Sequence, residues 1–474
     1  MYYYSLRGAM MTITLKTYSP IDSSLYVQRD YADIQQINTA LQLADSAQKT
    51  WKNTSLQERK KLCVKAVDAF LAQKEKIAEE LCWQMGRPIR YAEGEVLSFA
   101  DRANCMISIA DDALAKIKVN DKPGFERYIK REPVGVVLVI APWNYPLHTP
   151  INAIIPAILA GNTVILKHSS QTPLCAERIV EAFECAGFPK GVIQYLHMDH
   201  NNTELLIKSK NISGVAFTGS VAAGKKIEQA AAGRFIGIGL ELGGKDPAYI
   251  RNDADIDYAV ESTVDGAFFN SGQSCCGLER IYVHESIFDD YISKFVSLVK
   301  QYKLGRSDDS ETTLGPLVRS SAAEFVRGQI VDAMKQGALP QIDSNSFSLN
   351  KEGTAYMAPQ VLINVNHAMR VMNEESFGPV IGIMKVSSDE EAISLMNDSE
   401  FGLSAAIYSS NIEKAVELGD KIETGTFFVN RCDFLDPELA WTGVKNTGRG
   451  STLSSQGFNA FTRLKSFHIK TDIL

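Results

Sequence analysis

Between Val134 and Gly243 the chain alternates short apolar runs with amphipathic stretches, and no other feature of the sequence restricts the fold as strongly. The runs Val134 to Ile140, Thr163 to Lys167, Val192 to Leu196, Val215 to Phe217 and Ile238 to Leu242 have the length of strands. Helices are predicted after Thr149-Pro150, from Pro173 to about Cys185, and near Ala222 to Ala232. Strands that are apolar throughout are buried on both faces, and strands separated by crossover helices pair in parallel. The expected fold class is therefore α/β, with a parallel sheet. In open sheets of this kind ligands gather at the carboxyl ends of the strands. Pro142-Trp143-Asn144-Tyr145-Pro146, Lys167-His168-Ser169-Ser170 and Thr218-Gly219-Ser220 all lie at such ends.

A chain of 474 residues exceeds the roughly 250–300 at which one hydrophobic core stops growing, so two or three domains are expected. Its hydrophobic residues, 45% of the total, can fill large cores, yet no apolar run approaches the roughly 20 residues of a membrane span. A net charge of -7 and a pI near 5.7 argue against a surface for nucleic acid. The eight cysteines include no Cys-x-x-Cys pair and no companion His spacing, which fits neither a disulfide framework nor a zinc site. Reduced thiols, no metal and a cytoplasmic location are the expectation. Met1 to Arg7 shows neither an export signal nor a transit peptide; Met10 and Met11 are alternative starts, with no structure expected before them.

Elsewhere the local signals are shorter. Ile34, Ile37, Leu41 and Ala44 recur at helical spacing. A second helix is predicted from Ser55, with Ser55 and Glu58 forming a capping box and Gly86 and Pro88 ending it. The alternation in Phe125 to Ile129 fits an exposed hairpin strand, an edge that invites pairing with another chain.

Chemistry enters with two motifs. Phe268-Phe269-Asn270-Ser271-Gly272-Gln273-Ser274-Cys275-Cys276 follows Glu241-Leu242-Gly243-Gly244-Lys245 in the chain. A lone cysteine is most often a buried, inert thiol. Gly272-Gln273 beside Cys275 and a carboxylate upstream instead supply a candidate nucleophile and a candidate base. With these motifs the chain resembles the aldehyde dehydrogenase superfamily, whose nucleophile lies in a Gly-Gln-x-Cys segment and whose general base lies in a Glu-Leu-Gly-Gly-Lys segment. The resemblance spans about Tyr18 to Thr471.

The resemblance implies NAD(P)-dependent oxidation of an aldehyde to a carboxylic acid. Cys275 attacks the aldehyde carbon, the Asn144 side-chain amide and the Cys275 backbone amide hold the oxyanion, and Glu241 activates water to release the thioester. A free thiol has a pKa of about 8.5, so the site must lower that value or supply a base. Relatives that pass the acyl group to coenzyme A generally lack the glutamate, which favours a free acid as product. Taken singly, Asn144 reads as a turn residue, Glu241 as a helix cap or a partner of Lys245, and Lys167 as a solvated strand end. Cys276 is read as a bystander or a redox group.

No Gly-x-Gly-x-x-Gly follows the strands, and the family binds its dinucleotide without one. By the same resemblance Ile140, Trp143, Lys167, Ser170, Gly219 and Ser220 face the adenosine and pyrophosphate, and Glu375 and Phe377 face the nicotinamide riboside. Many NAD-preferring members carry an acidic residue at the position of Ser170. Serine leaves room for a 2′-phosphate, so NAD and NADP both remain open. The implied domains are 12–115 with 134–243 for NAD(P) binding, 244–455 for catalysis, and 116–133 with 456–474 as a small β arm that builds a homodimer or homotetramer.

For the substrate two classes stand. Tyr145, His148, Phe269, Leu435 and Trp441 offer an apolar, aromatic channel for a medium aliphatic or aromatic aldehyde. Trp441 narrows it, because Ala440-Trp441-Thr442-Gly443 replaces the family's Pro-Phe-Gly-Gly. Arg431 offers the alternative, pairing the carboxylate of a semialdehyde, unless it pairs with Asp433 or Asp436. A different class is a non-catalytic nucleotide-binding oligomer. Gly219 to Lys226 nearly matches a P-loop, but Lys226 stands where Ser or Thr must hold magnesium, and such a protein has no use for Cys275, Glu241 and Asn144 together.

Overall fold

The computed structural model describes residues 14–472, so the alternative starts at Met10 and Met11 and the beginning of the segment expected from 12 lie outside the described residues. Six strands form the first sheet, in the order Gly448–Arg449, Gly237–Glu241, Ile212–Thr218, Val136–Ile140, Thr163–Lys167, Ile193–Tyr195. All pair in parallel except Gly448–Arg449, which is antiparallel to its neighbour. The uninterrupted apolar runs have a direct physical cause. Successive side chains of a strand point to opposite faces. Val136, Leu138, Ile140 and Ile165 pack with Ile37, Leu41 and Ala44 of the helix Ile34–Trp51. Val137, Val139, Val164 and Leu166 point the other way, into a core with Ile151, Ile154 and Ile155 of the helix His148–Leu159 and Ile179 and Val180 of the helix Pro173–Cys185.

The predicted strands and helices of this region are present with shifted ends, and one helix was missed. His200–Lys208 buries only Thr203, Leu206 and Ile207, too narrow a stripe to stand out, although Asp199 caps it by accepting from the Asn202 amide at 2.8 Å. The single helix expected from Ser55 to Gly86 is two, Leu56–Leu71 and Lys74–Met85, interrupted at Ala72-Gln73. Gly86 ends the second in a left-handed conformation, φ +83°, which glycine adopts without a steric penalty. Ser55 accepts from the Glu58 amide at 3.2 Å without the reciprocal bond among the described contacts. The complete capping box belongs to Asp33 and Gln36 at the preceding helix.

The second sheet runs Leu339–Pro340, Gln360–Ile363, Val380–Val386, Leu278–His284, Asp246–Ile250, Ser404–Tyr408, Thr426–Val429, parallel after its first pair. Helices Ile256–Phe268 and Phe288–Val299 cover one face, and Asp389–Asn397 and Ile412–Gly419 the other. After this sheet the chain returns to the first one. Gly448–Arg449 becomes its edge strand, and Phe458 and Phe461 enter its core. An antiparallel ribbon completes the architecture: Phe125–Pro133, longer than the predicted Phe125 to Ile129, pairs with Thr462–Lys470 along its whole length, and with Ile117–Lys118 on its other side. Among the described residues no helix is long and apolar enough to cross a membrane, and no group of three or more His, Cys, Asp and Glu is placed to hold a metal ion.

Candidate active site

A cavity of 1030 Å³ opens at the carboxyl ends of the first sheet, where it meets the second. Residues far apart in sequence converge on it: Asn144 from the loop after Val136–Ile140, Glu241 from the last position of Gly237–Glu241, and Cys275 from the loop after Ile256–Phe268. Ile140, Trp143, Lys167, Ser170, Gly219, Ser220, Glu375 and Phe377 line it, as do Tyr145, His148, Phe269, Leu435 and Trp441. Arg431 does not. It is exposed, with its guanidinium 3.5 Å from the centre of the Phe434 ring, so it pairs with neither Asp433 nor Asp436 and does not face the cavity.

The loop that carries Cys275 is held under strain. Asn270 and Ser271 take left-handed backbone angles, φ +52° and +57°, which non-glycine residues rarely adopt. The surroundings enforce them. Ser271 donates to the Gly315 carbonyl at 2.8 Å, Gln273 accepts from the Val318 amide at 2.8 Å and donates to the Asn270 carbonyl at 3.1 Å. Gly272, at φ +71°, passes so close to the Gly378 carbonyl that a Cβ would collide with it. Asn144 is tied to the same loop through its side-chain amide, which donates to the Gln273 carbonyl at 3.2 Å.

A buried network fixes the Asn144 loop from behind. Arg87 forms an ion pair with Glu95, donates to the Asn144 carbonyl at 2.8 Å and lies 4.5 Å from the centre of the Tyr145 ring. Glu95 also accepts from the Leu147 amide at 2.9 Å. Neither residue was singled out in the sequence. The clue was available: Glu95, Val96, Phe99, Arg102, Ala103 and Met106 fall on one buried stripe of the helix Ile89–Ala113, and two charged residues on an apolar stripe demand partners.

Glu241 accepts from Thr218 at 3.0 Å and from Thr452, and not from Lys245, which pairs with Glu279 and donates to Ser376 at 3.1 Å. Burial raises the Glu241 carboxyl above its ordinary range, and the two threonine hydroxyls oppose the rise. That is the direction a general base needs to work near neutrality. Cys276 is buried beneath Cys275. A hydrogen bond to Cys275 and burial both push its thiol up, so it stays protonated and donates to Asp433 at 3.1 Å. Asp433, named in the sequence only as a possible partner of Arg431, accepts from Ser274 at 2.7 Å and is pushed up to about 6 by burial.

At the other end of the cavity Lys167 is buried and brought down to about 8 by burial. Glu375 is raised to about 8, chiefly by burial and then by Glu279, while accepting from the Gly244 amide at 3.1 Å. A Cβ on Gly243 would collide with the Glu375 carboxylate, so the glycines after Glu241 are what allow this approach. Trp143 and Phe377 meet edge to face, 5.5 Å between ring centres.

A thiol, a carboxylate and a carboxamide thus converge beside a strand-end crevice. The model of the aldehyde dehydrogenase family matches residues 10–467. The chain belongs to the aldehyde dehydrogenase family. It is 33% identical over 462 residues to a succinate semialdehyde dehydrogenase of Escherichia coli (strain K12), named Sad and NAD(P)+-dependent, covering 96% of this chain and 99% of that one. Its fold matches succinic semialdehyde dehydrogenase from Streptococcus pyogenes in complex with NADP+, with a TM-score of 0.92 and 31% identity over 96% of this chain and 100% of the other. It matches PnpE in complex with nicotinamide adenine dinucleotide with a TM-score of 0.92 and 30% identity, over 97% and 95%. The protein is an NAD(P)-dependent aldehyde dehydrogenase of mixed α/β fold.

Proposed function

We propose that this aldehyde dehydrogenase works through Cys275, Glu241 and Asn144, and the observation that carries the assignment is their convergence on one cavity from three separate stretches of chain. The Cys275 sulfur, as the thiolate with its proton already given up, bonds to the aldehyde carbon. Negative charge develops on the former carbonyl oxygen, where the Asn144 amide and the Cys275 backbone N–H stabilise it. Hydride then leaves that carbon and a thioester remains on Cys275. Glu241 removes a proton from water as it attacks the thioester, and the free acid departs with the Cys275 sulfur restored.

NAD or NADP, when bound, supplies the hydride acceptor. The lining fits such a group. The helix Val221–Ala231 has its amino end at Ser220, where it would meet a pyrophosphate; Lys167 is a buried cation with no carboxylate in ion-pair range among the described residues; and Glu375 and Phe377, which line the same cavity, would hold the nicotinamide riboside. Ser170 brings no carboxylate to the adenosine ribose, which supports acceptance of NADP. Residues 12–115 and 134–243 are assigned to cofactor binding, 244–455 to catalysis, and 116–133 with 456–474 to an arm that pairs with another copy, giving a homodimer or homotetramer. The eight cysteines, all free, support a cytoplasmic location.

The test is absorbance at the reduced-nicotinamide band, with NAD and NADP run separately. Cys275→Ala should lose turnover on the order of 10⁴-fold or more while still binding cofactor. Retained turnover removes Cys275 from the mechanism. Glu241→Gln should give a burst of reduced cofactor and then stall, with steady-state turnover down roughly 10²–10⁴-fold. Unimpaired steady-state turnover would reject Glu241 as the base.

A further inference from the structure

Arg102 lies midway along the helix Ile89–Ala113, is 6% exposed and lines the cavity. Its guanidinium carries five N–H donors and does not lose its charge at any ordinary pH. Buried charges are ordinarily paired. Arg102 has no carboxylate in ion-pair range among the described residues, in contrast to Arg87 on Glu95. What it meets is neutral: the His148 carbonyl at 3.5 Å and, with the Asn152 amide oriented to satisfy its own bonds, the Asn152 oxygen at 3.2 Å. The carboxylates nearby are committed elsewhere. Glu95 is held by Arg87 and the Leu147 amide, and Glu241 by Thr218 and Thr452.

Arg102 and Cys275 line the same cavity, and burial lowers the Arg102 pKa against the opposing pull of Cys276, Glu241, Glu95 and Cys275. An aldehyde bonded to Cys275 must extend its remaining atoms into the same cavity. Tyr145, Phe269 and Trp441 wall that space with rings, which exclude water and strengthen any ion pair formed inside.

We propose that Arg102 determines substrate class: its guanidinium pairs with a carboxylate carried by the aldehyde, so the enzyme takes short carboxylate-bearing aldehydes in preference to neutral ones. This rests on the aldehyde-oxidising assignment of Cys275 and moves the role expected of Arg431 to a residue inside the cavity.

The experiment compares succinate semialdehyde with butanal, wild type against Arg102→Met and Arg102→Lys, reading kcat and KM separately. The wild type should prefer the semialdehyde. Arg102→Met should raise KM for it, lowering the ratio of the two kcat/KM values by roughly 10–100-fold, with partial recovery in Arg102→Lys. Calorimetry with succinate, in the presence of NADP, supplies a readout independent of turnover: wild type binds and Arg102→Met does not. A wild type that prefers butanal, an unchanged ratio in Arg102→Met, or an equal loss for both aldehydes with a shifted pH profile would overturn the proposal, the last by making Arg102 a group that acts on the Cys275 thiolate. If the wild type oxidises neither aldehyde yet binds succinate through Arg102, the Cys275 assignment fails and the arginine assignment stands.

Discussion

The helix Ile89–Ala113 faces the cavity with two unlike neighbourhoods. Next to its first turn, Arg87 and Glu95 form a closed network: the guanidinium reaches a carboxylate, a backbone carbonyl and a ring, and the carboxylate reaches a backbone amide. Midway along, Arg102 is as well buried and meets only neutral oxygens. The same type of side chain at a similar depth therefore serves two ends. A charge whose partners all come from the protein holds backbone in place, here the loop that aims Asn144. A charge left without a counter-charge inside a cavity is held in the free protein by neutral oxygens alone, and a ligand that enters the cavity can supply the counter-charge. Lys167, at the far end of the same cavity, belongs with Arg102 on this criterion.

Removing half of the closed pair is the sharpest way to break this comparison. Arg87→Met leaves Glu95 buried without its cation, and one-sided loss of a buried pair costs about 3–5 kcal/mol. The loop at Asn144 also loses its 2.8 Å anchor. Urea denaturation should show that full loss for Arg87→Met, and the doubly apolar Arg87→Met, Glu95→Leu variant should regain much of it. Arg102→Met, by contrast, leaves no buried counter-charge orphaned and frees only two neutral oxygens, so its stability should stay within about 1 kcal/mol of wild type or rise. Equal destabilisation at the two positions would mean that Arg102 is scaffolding as well.

The two positions also mark how far the sequence could be read. The first sheet was legible because its central strands, Val136–Ile140 and Thr163–Lys167, are apolar at nearly every position and buried at all of them, the pattern of a parallel sheet covered on both faces, whereas the edge strand Gly448–Arg449 carries no such run. Cys275, Glu241 and Asn144, singled out by short motifs and their order, line one cavity in the folded chain. Arg431 was expected at the cavity from its neighbours in sequence, and adjacency says nothing about direction; the folded chain leaves it exposed against the Phe434 ring and outside the cavity lining. Arg102 and Glu95 sat in plain view as charges on a buried helical stripe, yet whether each has a partner depends on loops distant in sequence, and only the folded chain decides that. The break at Ala72-Gln73 was hidden for a similar reason, since neither residue is a helix breaker.

Asp433 tests the comparison at an intermediate case, a carboxylate met by a hydroxyl and a thiol and by no cation. Burial pushes it up to about 6 from an ordinary value near 3.8. Because the folded value is the higher one, folding takes up a proton between these two pH values. The carboxyl therefore costs nothing below about pH 4, and its cost grows as pH rises and is complete above about pH 6. Asp433→Asn keeps an oxygen to accept from Ser274 and Cys276 and cannot ionise. Its stability relative to wild type should increase from pH 4 to pH 7 by at most about 3 kcal/mol, and by less to the extent that solvent reaches the group. Denaturation midpoints at several pH values would read this directly. A difference that stays flat with pH would show that Asp433 titrates at its ordinary value, and that a hydroxyl and a thiol shelter a charge in this cavity as well as a cation would.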